Sequence, residues 1–180
     1  MIAPGPTLTT ARLILRPTAR EDFDGWAELM ADEENSGFIG GPQSRPAAWR
    51  GMMSMAGAWA LEGFAMFSVL EKDSGEWLGR IGPWVPEGWP GTEVGWALLK
   101  KAWGKGYAVE AAEATIDWAF DTLGWTEVIH TIDPANTASQ LVAQRLGSTN
   151  WGPSKLPPPF EDKPVDAWGQ TREQWKARVR

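Results

Sequence analysis

Cysteine is absent from the sequence, and histidine and tyrosine occur once each, as His130 and Tyr107. The lack of cysteine excludes a disulfide framework, a thiolate nucleophile and a cysteine metal site. One histidine makes a histidine-based metal centre an unfavourable interpretation, so we expect chemistry without a metal ion. One tyrosine restricts any phenolic proton donor to a single position.

Long apolar runs are also missing. No stretch approaches the roughly 18 apolar residues of a membrane span, and the N-terminus has neither the basic region nor the apolar run of a signal peptide. We therefore expect a cytoplasmic protein that does not enter a membrane. The net charge of −6 disfavours general binding to nucleic acid and favours cationic small molecules or basic peptide ends.

The 180 residues are enough for one domain with a substantial core. We expect a single domain over 1–180, with a flexible start at 1–7 and a variable tail at 150–180. Thirteen tryptophans are spread along this length. Most are expected in the core or in the wall of a cleft, and a sugar-stacking surface is the rival interpretation.

Hydrophobic periodicity predicts a strand, two helices, three strands, a helix, a strand, a helix and a tail. The predicted strands are 8–16, 64–70, 76–84, 93–99 and 127–132, with a further edge strand at 165–168. The predicted helices begin at Thr18, Ser44, the turn at 103–106 and Asn136, and a glycine-rich loop at 36–42 separates the first two. The order indicates an α/β (α+β) protein, with helices on both faces of a mixed sheet.

The segment 103–108 (WGKGYA) lies between the buried strand and a helix, and contains glycines at 104 and 106. A helix N-terminus after a glycine turn presents unpaired N–H groups and a positive dipole end, which together bind anions. Lys100, Lys101 and Lys105 add local positive charge. The turn therefore predicts a phosphate site, although it matches neither the Walker pattern nor the dinucleotide fingerprint, and an ordinary structural turn is the alternative.

Six short motifs in order resemble the GNAT superfamily of acetyl-CoA-dependent N-acetyltransferases, in its RimJ/RimL-like branch that acetylates ribosomal-protein N-termini. They are RLILRP at 12–17, GEWLG at 75–79, EVGW at 93–96, WGKGYA at 103–108, NTAS at 136–139 and RLG at 145–147. The resemblance covers about residues 8–150. It implies a GNAT-like, mostly antiparallel sheet flanked by helices.

By this resemblance, the turn N–H groups would hold the pyrophosphate of acetyl-CoA, and the strand edge near residues 98 and 99 would pair with the pantetheine arm. The implied coenzyme-binding residues are Leu98, Leu99, Trp103, Gly104, Lys105, Gly106, Tyr107, Ala108, Asn136 and Ser139. Simple helix capping is the alternative for Asn136, and a solvent-facing hydroxyl is the alternative for Ser139.

The implied catalytic residues are Glu93 and Ser139. A lysine-like amine with a pKa of about 10 is only about one part in a thousand free base at neutral pH, so a base is expected. Glu93 is the candidate, with Asp133 and His130 in reserve. Many relatives place a tyrosine acid where this chain has Ala143, so Ser139 or water is the expected proton source.

The expected reaction is direct acetyl transfer to a primary amine, either a protein N-terminus or a small molecule, in a monomer or a homodimer. A non-catalytic acyl-CoA-binding module or sensor is the alternative. Acidic charge and abundant indole rings favour a cationic or aromatic acceptor.

Overall fold

The computed structural model describes residues 5–178. Its strands are β1 (Leu8–Thr9), β2 (Leu13–Arg16), β3 (Phe67–Glu71), β4 (Trp77–Trp84), β5 (Glu93–Leu98), β6 (Glu127–Ile132), β7 (Thr149–Ser154) and β8 (Val165–Thr171). They form one sheet in the order β1-β2-β3-β4-β5-β6-β8-β7. Only β5 and β6 run parallel among the paired neighbours in this part of the chain. The prediction of a mixed, mostly antiparallel sheet is confirmed.

The helices are α1 (Phe23–Ala31), α2 (Glu33–Ser36), α3 (Arg45–Leu61), α4 (Tyr107–Asp121), α5 (Thr137–Arg145) and α6 (Arg172–Ala177). Two predicted N-caps are confirmed. The Ser44 hydroxyl accepts from the Ala47 N–H, and the Asn136 side-chain oxygen accepts from the Ser139 N–H. No helix in the described residues is both long and apolar enough to cross a membrane.

The strand register fixes which side chains share a face of the sheet. Residues directly opposite each other across an antiparallel pair point the same way, and successive residues alternate. The side chains of Arg80 and Ile81 therefore lie on opposite faces of the sheet. Trp26 of α1 stacks on Arg80, whereas Trp118 of α4 packs against Phe67, the residue opposite Ile81. The helices thus cover both faces, as predicted.

The start of the chain differs from the expected continuous strand over 8–16. Strands β1 and β2 pair with each other as a hairpin, because the chain turns after Thr9 and the Thr10 N–H donates to the Leu13 carbonyl. Of the flexible start expected at residues 1–7, residues 1–4 lie outside the described residues.

The first helix also begins later than the Thr18 cap predicts. A 3-10 turn at Arg20–Asp22 precedes α1, and the Asp22 carboxylate accepts from the Ala19 N–H. The predicted loop at 36–42 is shortened, since Asp32 caps the short helix α2.

The C-terminal segment is more ordered than the predicted tail. Strand β7 was missed, and β8 lies inside the sheet between β6 and β7, so the expected edge strand at 165–168 is not at the edge. Helix α6 was also missed; it is capped by Thr171 and buries Trp175 completely. The tryptophan prediction holds better, since only Trp103 and Trp151 are exposed among the described tryptophans.

Candidate active site

The sheet opens between β5 and β6. The two strands are paired only at Glu93 and Ile129, and the Ile129 N–H donates to the Thr92 carbonyl. On the other side of β5, the Leu99 N–H donates to the Leu78 carbonyl. Because the direction of backbone groups alternates along a strand, the even-numbered positions from Val94 to Leu98 face the opening.

The carboxylate of Glu93 occupies the point where the strands separate. Its Oε1 accepts from the Thr131 N–H at 3.0 Å, and its Oε2 accepts from the Thr131 hydroxyl at 2.9 Å. The Trp89 indole N–H also donates to Oε2. Glu93 thus takes the place of a backbone carbonyl for β6, and this side-chain contact ends the parallel ladder.

The pKa of Glu93 is also strongly shifted. The residue is only 6% exposed, and burial raises its pKa to about 7, although the hydrogen bonds from Thr131 and Trp89 oppose this increase. A carboxylate with this pKa changes charge near neutral pH, which is the property required of a general base at that pH. Of the candidate bases, it best combines burial, pKa and position.

His130, on β6, lies at the same opening between the two strands. Its Nδ1 lies 2.7 Å from the Val94 carbonyl and its Nε2 lies 3.0 Å from the Ser148 hydroxyl. Because the carbonyl can only accept, Nδ1 carries the proton and Nε2 accepts from Ser148. Burial lowers the pKa of His130 to about 4. Both ring nitrogens are engaged and the ring is neutral, so in this arrangement His130 presents no free nitrogen to an amine.

The reserve carboxylate Asp133 accepts from the Ala135 N–H in the turn before α5. Ser139 lies on the first turn of α5, where its hydroxyl oxygen accepts from the Trp96 indole at 3.1 Å. The Ser139 proton is thereby left free to be donated elsewhere. Ala143 is completely buried and packs with Ile132 and Trp168, so no phenol occupies this part of α5.

The turn before α4 has the backbone of an anion site. Gly104 and Gly106 have φ values of +71° and +80°, a conformation that glycine adopts without strain. The Trp103 N–H donates to the Lys100 carbonyl, but the N–H groups of residues 104–109 donate to no acceptor in the described part of the chain. The free donors therefore start at Gly104, one residue later than expected from the sequence.

Arg12 holds this turn in place through contacts with its backbone and with α4. Its guanidinium donates to the Lys105 carbonyl at 2.9 Å and to the Glu110 carboxylate at 2.7 Å, and it stacks on the Tyr107 ring. The Tyr107 hydroxyl donates to Glu71 at 2.6 Å, so the only phenol of the chain is already engaged. With the Lys105 carbonyl held by Arg12, the turn keeps its N–H groups on the other side.

One cleft of about 1260 Å³ joins these features. Eight of the ten predicted coenzyme-binding residues, together with Glu93, are among the residues that line it. These eight are Leu98, Trp103, Gly104, Gly106, Tyr107, Ala108, Asn136 and Ser139. Leu99 and Lys105 are not among them: Leu99 is buried and its N–H donates to the Leu78 carbonyl of β4, and the Lys105 carbonyl accepts from Arg12. The Leu98 carbonyl accepts from the Trp103 indole at 2.8 Å.

Several lining residues escaped the sequence reasoning. Trp89 contacts Glu93, Arg80 lies on the cleft floor, and the loop 155–164 between β7 and β8 contributes Phe160 and Lys163. Trp89 could have been suspected from its position four residues before Glu93, but Arg80 carries no local signal. Among residues 5–178, no group of three or more histidines, aspartates or glutamates could hold a metal ion.

The profile of the family described as "Acetyltransferase (GNAT) domain" matches residues 12–149. The chain belongs to the GNAT acetyltransferase family. This RimJ/RimL-like member of the family is an acetyl-CoA-dependent N-acetyltransferase. The alternative of a non-catalytic acyl-CoA sensor is therefore not supported.

Individual acetyltransferases are also similar to this chain in sequence and structure. An acetyltransferase structure from Agrobacterium tumefaciens str. C58 is 34% identical, with a TM-score of 0.81 over 93% of this chain and 95% of that one. An uncharacterized N-acetyltransferase p20 from Bacillus licheniformis is 33% identical over 74% of this chain and 76% of its own length. FsC-acetyl coenzyme A-N(2)-transacetylase from Aspergillus fumigatus is 30% identical over 94% and 78%, respectively.

The fold of this GNAT protein is also that of Mycobacterium smegmatis RimJ in complex with CoA-disulfide. That structure has 20% identity and a TM-score of 0.73 over 97% of this chain and 91% of that one.

Proposed function

We propose that this enzyme acetylates a primary amine by direct attack on the thioester of acetyl-CoA, with Glu93 as the general base. The proposal is carried by one observation: a buried carboxylate with a pKa of about 7 lies in the cleft where the sheet opens. The free N–H groups of residues 104–109 suit the pyrophosphate, and the open edge of β5 suits the pantetheine arm.

In the proposed reaction, Glu93 accepts a proton from the incoming ammonium group, directly or through water. The amine nitrogen then forms a bond to the thioester carbon, and the C–S bond breaks with both electrons passing to sulfur. The second proton that the nitrogen must lose to become an amide passes through Ser139 or water to this sulfur. A backbone N–H on the open edge of β5 near Leu98 is suited to stabilise the oxyanion that forms in between. No cysteine is available to form an acetyl-enzyme, which favours direct transfer.

The proton for the leaving thiolate is assigned to Ser139 or to a water beside it. The Ser139 oxygen accepts from Trp96, which leaves its O–H free to donate. A thiol with a pKa near 8.5 is a fair leaving group at neutral pH, so this proton contributes less than the base. Asn136, which caps α5 beside Ser139, is proposed to contact the pantetheine arm from the same wall.

The test combines thiol release from acetyl-CoA with a panel of amines, mass spectrometry of the product and calorimetry with coenzyme A. We expect an N-acetylated product and no acetylated form of the intact protein. Glu93→Gln is expected to retain coenzyme binding while losing turnover. Coenzyme binding without turnover on any amine, in both the original protein and the variant, would contradict the proposal.

A further inference from the structure

Arg80 and Glu93 lie on the same face of the sheet. Arg80 is directly opposite Ala97, and Glu93 is directly opposite Trp84. The pair between them on this face is Gly82 and Gly95, which have no side chains. At about 3.3 Å per residue, the Cα atoms of Ala97 and Glu93 are about 13 Å apart. The cleft floor therefore has a carboxylate at one end, a guanidinium at the other and glycines between them.

The guanidinium of Arg80 has no anionic partner. No carboxylate lies within 4 Å of it in the described part of the chain. Its Nε is buried and makes no hydrogen bond, and its Nη1 reaches only the Met66 sulfur, at 3.6 Å. Sulfur in a thioether is a weak acceptor, so the hydrogen-bonding capacity of this group is largely unused.

Arg16 shows how the same protein treats another shielded arginine. Its side chain is 22% exposed, and it makes two short bonds to the carboxylate of Asp22, at 2.9 and 2.7 Å. An uncompensated charge next to apolar groups is costly, which explains the presence of Asp22. Arg80 lacks such a neighbour although it stacks on Trp26 at 4.6 Å and lies in the cleft.

Arg80 is a cation at neutral pH despite its surroundings. Burial lowers its pKa only to about 10, which leaves it protonated. Five acidic residues line the cleft, and none of them forms an ion pair with Arg80: Glu33, Glu34, Glu87, Glu93 and Asp133. Glu34 pairs with Lys100, and Glu93 is held by Thr131 and Trp89. A positive charge that lines a cleft without a protein anion beside it is suited to receive an anion from a ligand.

We propose that Arg80 binds a carboxylate on the acceptor, so that the substrate class of this enzyme is an amine that also carries a carboxylate. Arginine binds a carboxylate through two parallel N–H···O bonds, a geometry that lysine cannot reproduce. The amine end then lies towards Glu93 and the carboxylate end towards Trp26, across the two glycines. This inference rests on the proposed function for the position of the amine, and it adds a carboxylate to the cationic or aromatic acceptor expected from the sequence.

The experiment compares two amines that differ only in the carboxylate, 6-aminohexanoate and hexylamine, whose amine basicities are similar because the carboxylate is remote. 4-(Aminomethyl)phenylacetate and 4-ethylbenzylamine form a second pair with an aromatic body and a carboxylate remote from the amine. We expect the original protein to acetylate the carboxylate member of at least one pair with at least tenfold higher kcat/KM. Arg80→Met should reduce that value by about 10- to 100-fold, the scale of one charge-assisted hydrogen-bonded pair, and change the other member by less than about threefold. Arg80→Lys should be intermediate.

The control is Arg178→Met, because Arg178 also stacks on a tryptophan, Trp175, but does not line the cleft. It should leave the preference between the paired amines unchanged. A parallel arm titrates 6-aminohexanoate onto the protein with coenzyme A present and records binding by calorimetry. This binding measurement tests the role of Arg80 even if the enzyme acetylates none of these amines. In that case the proposed reaction fails, while the binding of the carboxylate is judged on its own.

Equal activity on both members of each pair, or equal loss on both in Arg80→Met and Arg80→Lys, would overturn the assignment. Thermal unfolding of each variant shows whether it is folded, and Arg80→Lys, which keeps the charge, carries the test if Arg80→Met is unstable.

Discussion

Replacement of Glu93 by glutamine tests the site most directly. The substitution should change both the stability and the activity of the protein, and the two effects should depend on pH in opposite directions. The folded protein raises the pKa of Glu93 from its ordinary value of 4.5 to about 7. At about 1.4 kcal/mol per pKa unit, this difference corresponds to roughly 3 kcal/mol. The folded state holds the proton more tightly than the unfolded chain does. The contribution of Glu93 to the free energy of unfolding should therefore be highest below about pH 4.5 and fall by roughly 3 kcal/mol as the pH rises to 7.

Glutamine does not titrate, so Glu93→Gln should lack this component. The amide oxygen can still accept from Thr131, whereas the Trp89 indole loses its acceptor if the amide nitrogen faces it. The loss of the Trp89 bond adds a penalty of about 1 to 3 kcal/mol that is constant with pH. Urea unfolding at several pH values between 4.5 and 8 measures both components. The difference in stability between the two proteins should change by roughly 3 kcal/mol in favour of the variant across this range.

Activity should respond in the other direction. A general base must be ionised, so kcat/KM of the original protein should rise with pH through about 7 and then level off. Glu93→Gln should lower kcat by about 10²- to 10⁴-fold and abolish this rise, with little change in coenzyme affinity. Glu127→Gln, an exposed residue at the start of β6, is the control. Parallel stability curves for the two proteins and an unchanged pH–rate profile would refute the reasoning.

Three further outcomes are expected. Gly104→Ala adds a methyl group in open space but at a φ of +71°, so the free turn of the variant should relax and incur the strain of about 1 to 2 kcal/mol only when it binds the coenzyme. Calorimetry should then show a roughly 5- to 30-fold weaker affinity for coenzyme A; an unchanged affinity would show that this conformation of the turn is not needed for binding. Asp22→Asn leaves Arg16 without its carboxylate and should cost about 3 kcal/mol in urea unfolding; a loss below about 1 kcal/mol would show that water replaces the partner. Ser139→Ala should reduce kcat by less than about tenfold, because a thiolate leaves readily at neutral pH; a loss as large as that of Glu93→Gln would instead make Ser139 an essential acid.

The backbone of the proposed phosphate-binding turn was predictable because its signal is local. Two glycines before an amphipathic helix specify both the backbone conformation and the free N–H groups, and both are found at 104 and 106. The position of Glu93 followed from the resemblance. Its partners did not, since Thr131 and Trp89 reach it only through the register of β6 and the path of the loop before β5.

Arg80 shows why the rest could not be predicted. Its place beside the glycine pair depends on the register between β4 and β5, which no local pattern specifies. Strand β7 was missed for a different reason: the segment TNWGPS is mostly exposed, so it lacks the apolar alternation that identifies a strand. Helix α6 is short, and its capping residue Thr171 lies at the end of β8.

The loop 155–164 lines the cleft, yet both of its ends are anchored in the β7–β8 hairpin. Hairpin tips tolerate insertion and deletion well, because few backbone bonds depend on them. Lengthening or shortening this loop can therefore reshape the acceptor entrance while leaving Glu93 and the glycine turn untouched. Changes confined to this loop can therefore alter which substrates the fold accepts. Libraries that vary only these ten positions are an economical way to redirect the enzyme.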